Sequence, residues 1–193
     1  MGKKYNFGVI GNCSYLAYID IKANVNWLCM PGFDSSFVFG SLLDKKKGGE
    51  FSVSPAADDF RSFQYYLKNT NILVTEFESE EGRYRVIDYA PRFFQYERYF
   101  KPLMLFRKIE LLEGNPTIVV RCKPVGNYGK VIPETVIGSN HIRFLNLNNQ
   151  VRLTTDIPLK YIINQKHFLL NETHYLAFTY GAPLEAPLQE TAE

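Results

Sequence analysis

The sequence predicts an all-β fold, an antiparallel sandwich or barrel of many short strands. Three observations predict it. Short apolar stretches separated by turn residues run along almost the whole chain. Aromatic residues make up 15% of it, and these side chains pack well on a pleated surface. No alternation of strand and helix units is present.

Segments 7–10, 15–19 and 25–29 come first, punctuated by turn residues. After the stretch NWLCMPGFDSS (26–36), Ser35 or Ser36 can N-cap a short helix near 36–44, with Phe37, Val38 and Leu42 on one face and Gly48-Gly49 stopping it. Strands follow at 50–55, 63–67, 72–79 and 83–90. The pair 72–77 and 84–89 flanks Glu80-Glu81-Gly82, where Gly82 supplies the positive φ of a hairpin turn. Strands 103–112 and 117–124 read as a second hairpin, with Leu105, Ile109 and Leu111 meeting Ile118 and Val120 across Glu113-Gly114-Asn115-Pro116. Further strands are expected at 135–138, 141–146, 151–155, 162–165 and 173–180, enough to fill two sheets. From Gly181 onward the chain is rich in Ala, Pro and Glu without apolar periodicity. The expected organisation is one domain over 1–180 and the start of a linker over 181–193.

Composition excludes several classes. At 46% hydrophobic and 22% charged the 193 residues match globular proteins rather than disordered ones. The net charge is only +2, and the one dense basic run, Lys45-Lys46-Lys47, is followed at once by glycines, so no nucleic-acid partner is expected. Lys3 and Lys4 precede no uninterrupted apolar region, Asn6 stands where a myristoylation signal wants Ser or Thr, and no apolar run is long enough to span a membrane. Cys13, Cys29 and Cys122 show neither disulfide nor zinc spacing, which points to reduced thiols and a cytoplasmic location.

A catalytic constellation is hard to assemble. His141, His167 and His174 lack metal-ligand spacing, and no phosphate-binding glycine loop or nucleophile elbow occurs. Glycosidase chemistry needs two carboxylates. Asp34, Glu76, Glu78, Asp88 and Asp156 are available, but spacing nominates no pair. No catalytic residue, metal or cofactor is assigned.

The run GVIGNCSYLAYIDIKANVNWLCMPGFDSSFVFGSLLDKKKGGEFSVSP carries Ile10-Gly11-Asn12, Trp27-Leu28-Cys29, Pro31-Gly32-Phe33-Asp34-Ser35 and Gly48-Gly49 in that order. It resembles the N-terminal domain of glycoside hydrolase family 15, the glucoamylase, glucodextranase and trehalase group. The segments YLKNTNILVTEFESEEGRYRVIDYAP and LFRKIELLEGNPTIVVRCKPVGNYG continue the resemblance. Gly32 stands where the family usually has Arg, and Val125-Gly126-Asn127 replaces its Arg-Phe-Asp.

The resemblance implies a β-supersandwich of galactose mutarotase-like architecture, followed by a linker and an (α/α)6 barrel bearing two catalytic glutamates. Twelve helices of about eleven residues do not fit beside the strands read here. The barrel is therefore expected outside this chain, as its main partner, with an α-glucan or oligosaccharide substrate engaged only through the full-length enzyme. Trp27, Pro31, Phe33, Asp34 and Ser35 then become an interdomain contact or a loop near the active site. The same residues also fit plain core packing and a helix cap. Two other readings stay open: an α-glucan-binding module that stacks sugars on Tyr65, Tyr66, Tyr96 or Tyr99, and a freestanding enzyme resembling the mutarotases.

Overall fold

Alternation of buried and exposed side chains along short strands organises the protein into two layers. The computed structural model describes residues 6–192; Lys3 and Lys4 of the N-terminal reading and Glu193 of the 181–193 linker lie outside the described residues. In chain order the elements are β1 (Phe7–Gly11), β2 (Leu16–Asp20), β3 (Val25–Cys29), β4 (Phe37–Phe39), β5 (Glu50–Pro55), β6 (Arg61–Tyr66), β7 (Leu73–Ser79), β8 (Gly82–Tyr89), β9 (Phe93–Gln95), β10 (Arg98–Phe100), β11 (Met104–Gly114) and β12 (Thr117–Lys123). They continue with β13 (Glu134–Ile137), β14 (His141–Leu145), β15 (Val151–Thr155), α1 (Leu159–Ile163), β16 (Phe168–Leu169), β17 (His174–Tyr180) and α2 (Leu188–Ala192).

One layer is an eight-stranded sheet in the order β13-β14-β15-β17-β11-β8-β7-β6, every neighbouring pair antiparallel. The other combines β1-β2-β3-β4 with β16-β12-β5, joined by a bridge between Asn24 and Ser52. The all-β antiparallel sandwich is thus observed. Its core lies between the layers, where Phe39 and Phe51 of the smaller sheets pack on Phe178 of the large one with ring centroids 5.1 and 5.8 Å apart.

Arg107 of β11 also points into this core and is fully buried. It stands opposite Asp88 of β8, donates from Nε to Asp88 Oδ1 at 2.7 Å and from Nη2 to Oδ2 at 3.2 Å. Its remaining donors reach across the core to the carbonyls of Phe51 (2.9 Å) and Ala23 (2.6 Å). Burying a charge is tolerable only when it is paired and its other hydrogens are satisfied. One side chain thereby links the two layers.

Three sequence expectations are corrected. The helix near 36–44 is instead the strand β4 followed by a turn. Phe37, Val38 and Phe39 are all buried, which a one-faced surface helix would not allow, and Phe37 pairs with Cys29. Ser35 and Ser36 therefore cap no helix. The chain then closes on itself through Gly40 N to Gly48 O (2.6 Å), with Asp44 Oδ1 accepting from the Lys46 and Lys47 amides.

Segment 162–165 belongs to the end of α1 and the residues that follow it, not to a strand. Pro158 starts the turn, the Tyr161 amide bonds the Pro158 carbonyl at 2.9 Å, and Ile162 is the buried residue. A short apolar run such as LKYII has no period that separates helix from strand.

The 103–112 and 117–124 segments do not pair with each other. β11 lies between β8 and β17, whereas β12 lies between β5 and β16 in the other layer. Gly114, at φ +75°, packs against Gly82, and the Asn115 amide bonds the Glu81 carbonyl at 2.9 Å. Those contacts carry the chain over the sheet instead of back along it. The 72–79 and 83–90 hairpin is present as β7 and β8.

Candidate functional site

Strand register decides which loops meet. Gly11 pairs with Leu16 and Ala17 with Leu28, so the β1–β2 turn and the loop after β3 emerge at the same end of the sheet. Hydrogen bonds attach the large sheet to this end. Asn12, buried in the β1–β2 turn, donates from Nδ2 to the carbonyls of Pro91 (3.0 Å) and Pro102 (2.8 Å), and its Oδ1 accepts the Ser14 amide at 3.0 Å. The Tyr15 hydroxyl donates to the Met104 carbonyl. The Tyr180 amide bonds the Leu103 carbonyl at 2.9 Å.

The predicted site residues occupy this end. Trp27 on β3 is half-buried and packs on Phe37 at 5.7 Å, in a small cluster with Cys29 and Val125 that is separate from the main core. Phe37 in turn meets the edge of the exposed Tyr128 ring at 5.8 Å. The Met30–Pro31 peptide is cis and Pro31 is exposed. Ser35 closes the loop, its Oγ accepting the Gly32 amide and its own amide bonding the Gly32 carbonyl, both at 3.2 Å. That closure leaves Phe33 57% exposed and Asp34 exposed.

The loop that carries Gly32 and the turn that carries Gly126 flank one cleft here. A narrow cleft is lined by Met30, Ser36, Val38, Val125, Gly126 and Tyr180, and the Val125 amide bonds the Val38 carbonyl at 2.9 Å. The turn that follows holds Asn127, Tyr128 and Gly129 at positive φ.

Sequence reasoning missed the other half of this end. β9 and β10 form a two-stranded hairpin that pairs with no other strand among the described residues. Its turn residues, Tyr96 and Glu97, sit at φ 50° and 58° without the Gly or Asn that usually marks such a turn, so no local signal announces it. Phe94, Tyr96 and Tyr99 are 61%, 80% and 61% exposed.

The sugar-stacking candidates are therefore split. Tyr96 and Tyr99 stand on the hairpin, whereas Tyr65 and Tyr66 belong to β6. The Tyr65 hydroxyl donates to Glu76 Oε1 at 2.6 Å, a bond that raises the phenol above its ordinary range. Tyr66 bonds the Val9 backbone, accepting from its amide at 2.6 Å and donating to its carbonyl at 3.0 Å.

Several charged groups are committed to structure. Burial pushes the Asp88 carboxyl up and the Arg107 guanidinium opposes that rise. On the outer face of the large sheet, Arg85 reaches Glu110 at 2.5 Å and Lys108 reaches the same carboxylate at 3.1 Å. His174 Nδ1 lies 3.3 Å from Asp156 Oδ1, and that oxygen accepts the Tyr175 amide at 3.0 Å. No group of three His, Cys, Asp or Glu side chains arranged to hold a metal ion occurs among the described residues, and no helix among them is long and apolar enough to cross a membrane. What this end offers is apolar and aromatic surface suited to contact.

Comparison with known proteins agrees with the motif order. The chain is 31% identical over 156 residues to a trehalase of Thermoplasma volcanium, covering 79% of this chain and 25% of that protein. It is 33% identical over 138 residues to a trehalase of Thermoplasma acidophilum, covering 70% and 23%. To trehalase 1 of Sulfolobus acidocaldarius it is 33% identical over 153 residues, covering 78% and 25%. The chain thus spans about a quarter of the length of these relatives. No solved structure matches it. The model described as "Trehalase-like, N-terminal" matches residues 6–167. With its motifs, its two layers and that match covering most of its length, this chain belongs to the trehalase-like N-terminal domain family.

Proposed function

We propose that this chain is the noncatalytic N-terminal domain of a family 15 glycoside hydrolase, trehalase-like or glucoamylase-like, that cleaves α-glucosidic bonds with residues carried elsewhere in the full-length protein. Its role is to pack against an (α/α)6 catalytic barrel, stabilise it and shape the entrance to its active site. The supporting observation is the loop-bearing end of the sandwich. There Phe33 and Asp34 are exposed, and the half-buried Trp27 and the exposed Tyr128 both pack on the buried Phe37.

The relatives named trehalase favour trehalose as substrate, with malto-oligosaccharides as the glucoamylase-like counterpart. Trp27, Pro31, Phe33, Asp34 and Ser35 act in this reading as contact residues. The rings supply apolar area, and the Ser35-closed turn fixes the loop that presents them. Three free thiols, two of them buried, suit a reducing cytoplasm.

The test is to express residues 1–193 alone and within the full-length polypeptide, and to assay both for glucose release from trehalose and from malto-oligosaccharides. Release only by the longer protein supports the proposal. Release by residues 1–193 alone overturns it.

A further inference from the structure

The β9–β10 hairpin has few means of support within this chain. A two-stranded ribbon without a sheet neighbour is at best marginally stable, and none of the described strands joins it. Its base is held: Asn12 bonds the carbonyls of Pro91 and Pro102, which bracket the excursion. Its two strands are tied together by ring contacts, Phe93 on Phe100 at 5.3 Å and Phe94 on Tyr99 at 5.0 Å. Exposure of Phe94, Tyr96 and Tyr99 on one small ribbon is costly in water.

The hairpin also carries positive charge. The Arg92 guanidinium lies over Tyr99 at 4.8 Å, and the Arg98 guanidinium over Phe100 at 4.7 Å. Among the described residues neither has a carboxylate within 4.0 Å, unlike the paired arginines 83, 85 and 107. Arg92 Nη1 donates to Cys13 Sγ at 3.1 Å; arginines stacked on aromatic rings are typical of the well-packed centres of protein interfaces.

The course of the chain after β17 indicates what covers the hairpin. The Gly181 amide bonds the Gln150 carbonyl at 2.7 Å, keeping the segment at the loop-bearing end. Further on, Thr191 of α2 lines a cleft of about 700 Å³ together with Cys13, Asn71, Tyr89, Arg92 and Phe93. The end of the described chain is thus brought to the root of the hairpin. In the relatives this region is about a quarter of the whole protein, and the family description calls it N-terminal.

We infer that the β9–β10 hairpin is the docking surface for the polypeptide that follows this domain, an inference that rests on the proposed function in assuming that such a portion exists. The partner surface is apolar, with carboxylates placed to meet Arg92 and Arg98. Phe94, Tyr96 and Tyr99 become buried on docking, and the hairpin acts as a clasp beside the chain crossing.

Hydrogen–deuterium exchange of amides 93–100, compared between residues 1–193 and the full-length protein, tests this. Docking slows exchange by about tenfold or more in the full-length protein, and Phe94→Ser with Tyr99→Ser removes that protection while leaving the rest of the sandwich protected. Equal exchange in both proteins overturns the inference. So does protection in residues 1–193 that appears on raising the protein concentration, which marks a second copy as the occupant, or on adding a malto-oligosaccharide, which marks a glucan. If the hairpin is protected in a full-length protein that releases no glucose from either sugar, docking stands and the hydrolase reading falls.

Discussion

Asp88 and Arg107 stand opposite each other on neighbouring strands of the large sheet, Nε to Oδ1 2.7 Å, with neither side chain reached by solvent. Through Arg107 the pair also holds the Phe51 and Ala23 carbonyls of the opposite layer. Removing one partner leaves an uncompensated buried group, so Arg107→Met lowers stability by about 3–5 kcal/mol. The double variant Asp88→Leu, Arg107→Met is less destabilised than that single variant. Urea unfolding followed by circular dichroism checks both.

Asn12 satisfies three backbone groups from one buried amide. Asn12→Ala strands the Pro91 carbonyl and the Ser14 amide and leaves the Pro102 carbonyl only the Met104 amide, at a cost of about 1–3 kcal/mol. Because those carbonyls bracket the β9–β10 excursion, amide exchange rises at 91–102 more than in β7 or β8.

Gly48 has no room for a side chain. A Cβ there would lie 2.5 Å from the carbonyl oxygens of Gly40 and Asp44, both backbone atoms that cannot step aside. Gly48→Ala therefore destabilises by about 1–3 kcal/mol. Lys46→Ala, on the exposed part of the same turn, stays within about 0.5 kcal/mol; thermal unfolding of the two variants separates the cases.

Glu110 gives the outer face a pH dependence. Partial burial raises its carboxyl, but hydrogen bonds from Lys108 and Arg85 and their charges outweigh burial and hold it below its ordinary 4.5. A folded value below the unfolded one means stabilisation present above about pH 4.5 and lost as the pH falls through the folded value. Glu110→Gln loses about 0.5–1 kcal/mol at neutral pH and shows a flatter acid limb between about pH 5 and 3. Urea midpoints across that range measure the difference.

Trp27 and Phe33 separate packing from contact. Trp27 is half-buried against the buried Phe37, Cys29 and Val125, so Trp27→Ala costs residues 1–193 about 2 kcal/mol. Phe33 is mostly exposed, and Phe33→Ser leaves their stability within about 0.5 kcal/mol. In the full-length protein Phe33→Ser lowers the melting temperature; an unchanged value there removes Phe33 from the contact surface.

Much of the fold was legible locally. Segments 25–29, 50–55 and 151–155 are strands with the predicted bounds, and the hairpin around Glu80-Glu81-Gly82 forms as its turn chemistry requires. Alternation encodes which face of a strand is apolar, and Gly82 encodes where the chain can reverse, so both are properties of neighbouring residues. The order of Ile10-Gly11-Asn12, Trp27-Leu28-Cys29 and Gly48-Gly49 also placed the chain in its family.

Tertiary structure decided the rest. Residues 37–39 form a strand because partners on both sides bury all three, a circumstance absent from their own sequence. β11 and β12 separate into different layers because β11 is paired on both edges by β8 and β17. Asp88 and Arg107 could be read as motif letters, but only register and burial made them one ion pair. The meeting of the 30–38 segment with the 125–128 turn, and of the base of the β9–β10 hairpin with Asn12, likewise depends on contacts between residues far apart in sequence. The sequence by itself determined strands, turns and family, because short-range periodicity and turn chemistry are local; the tertiary structure decided which of them meet, because long-range pairing and burial have no local code.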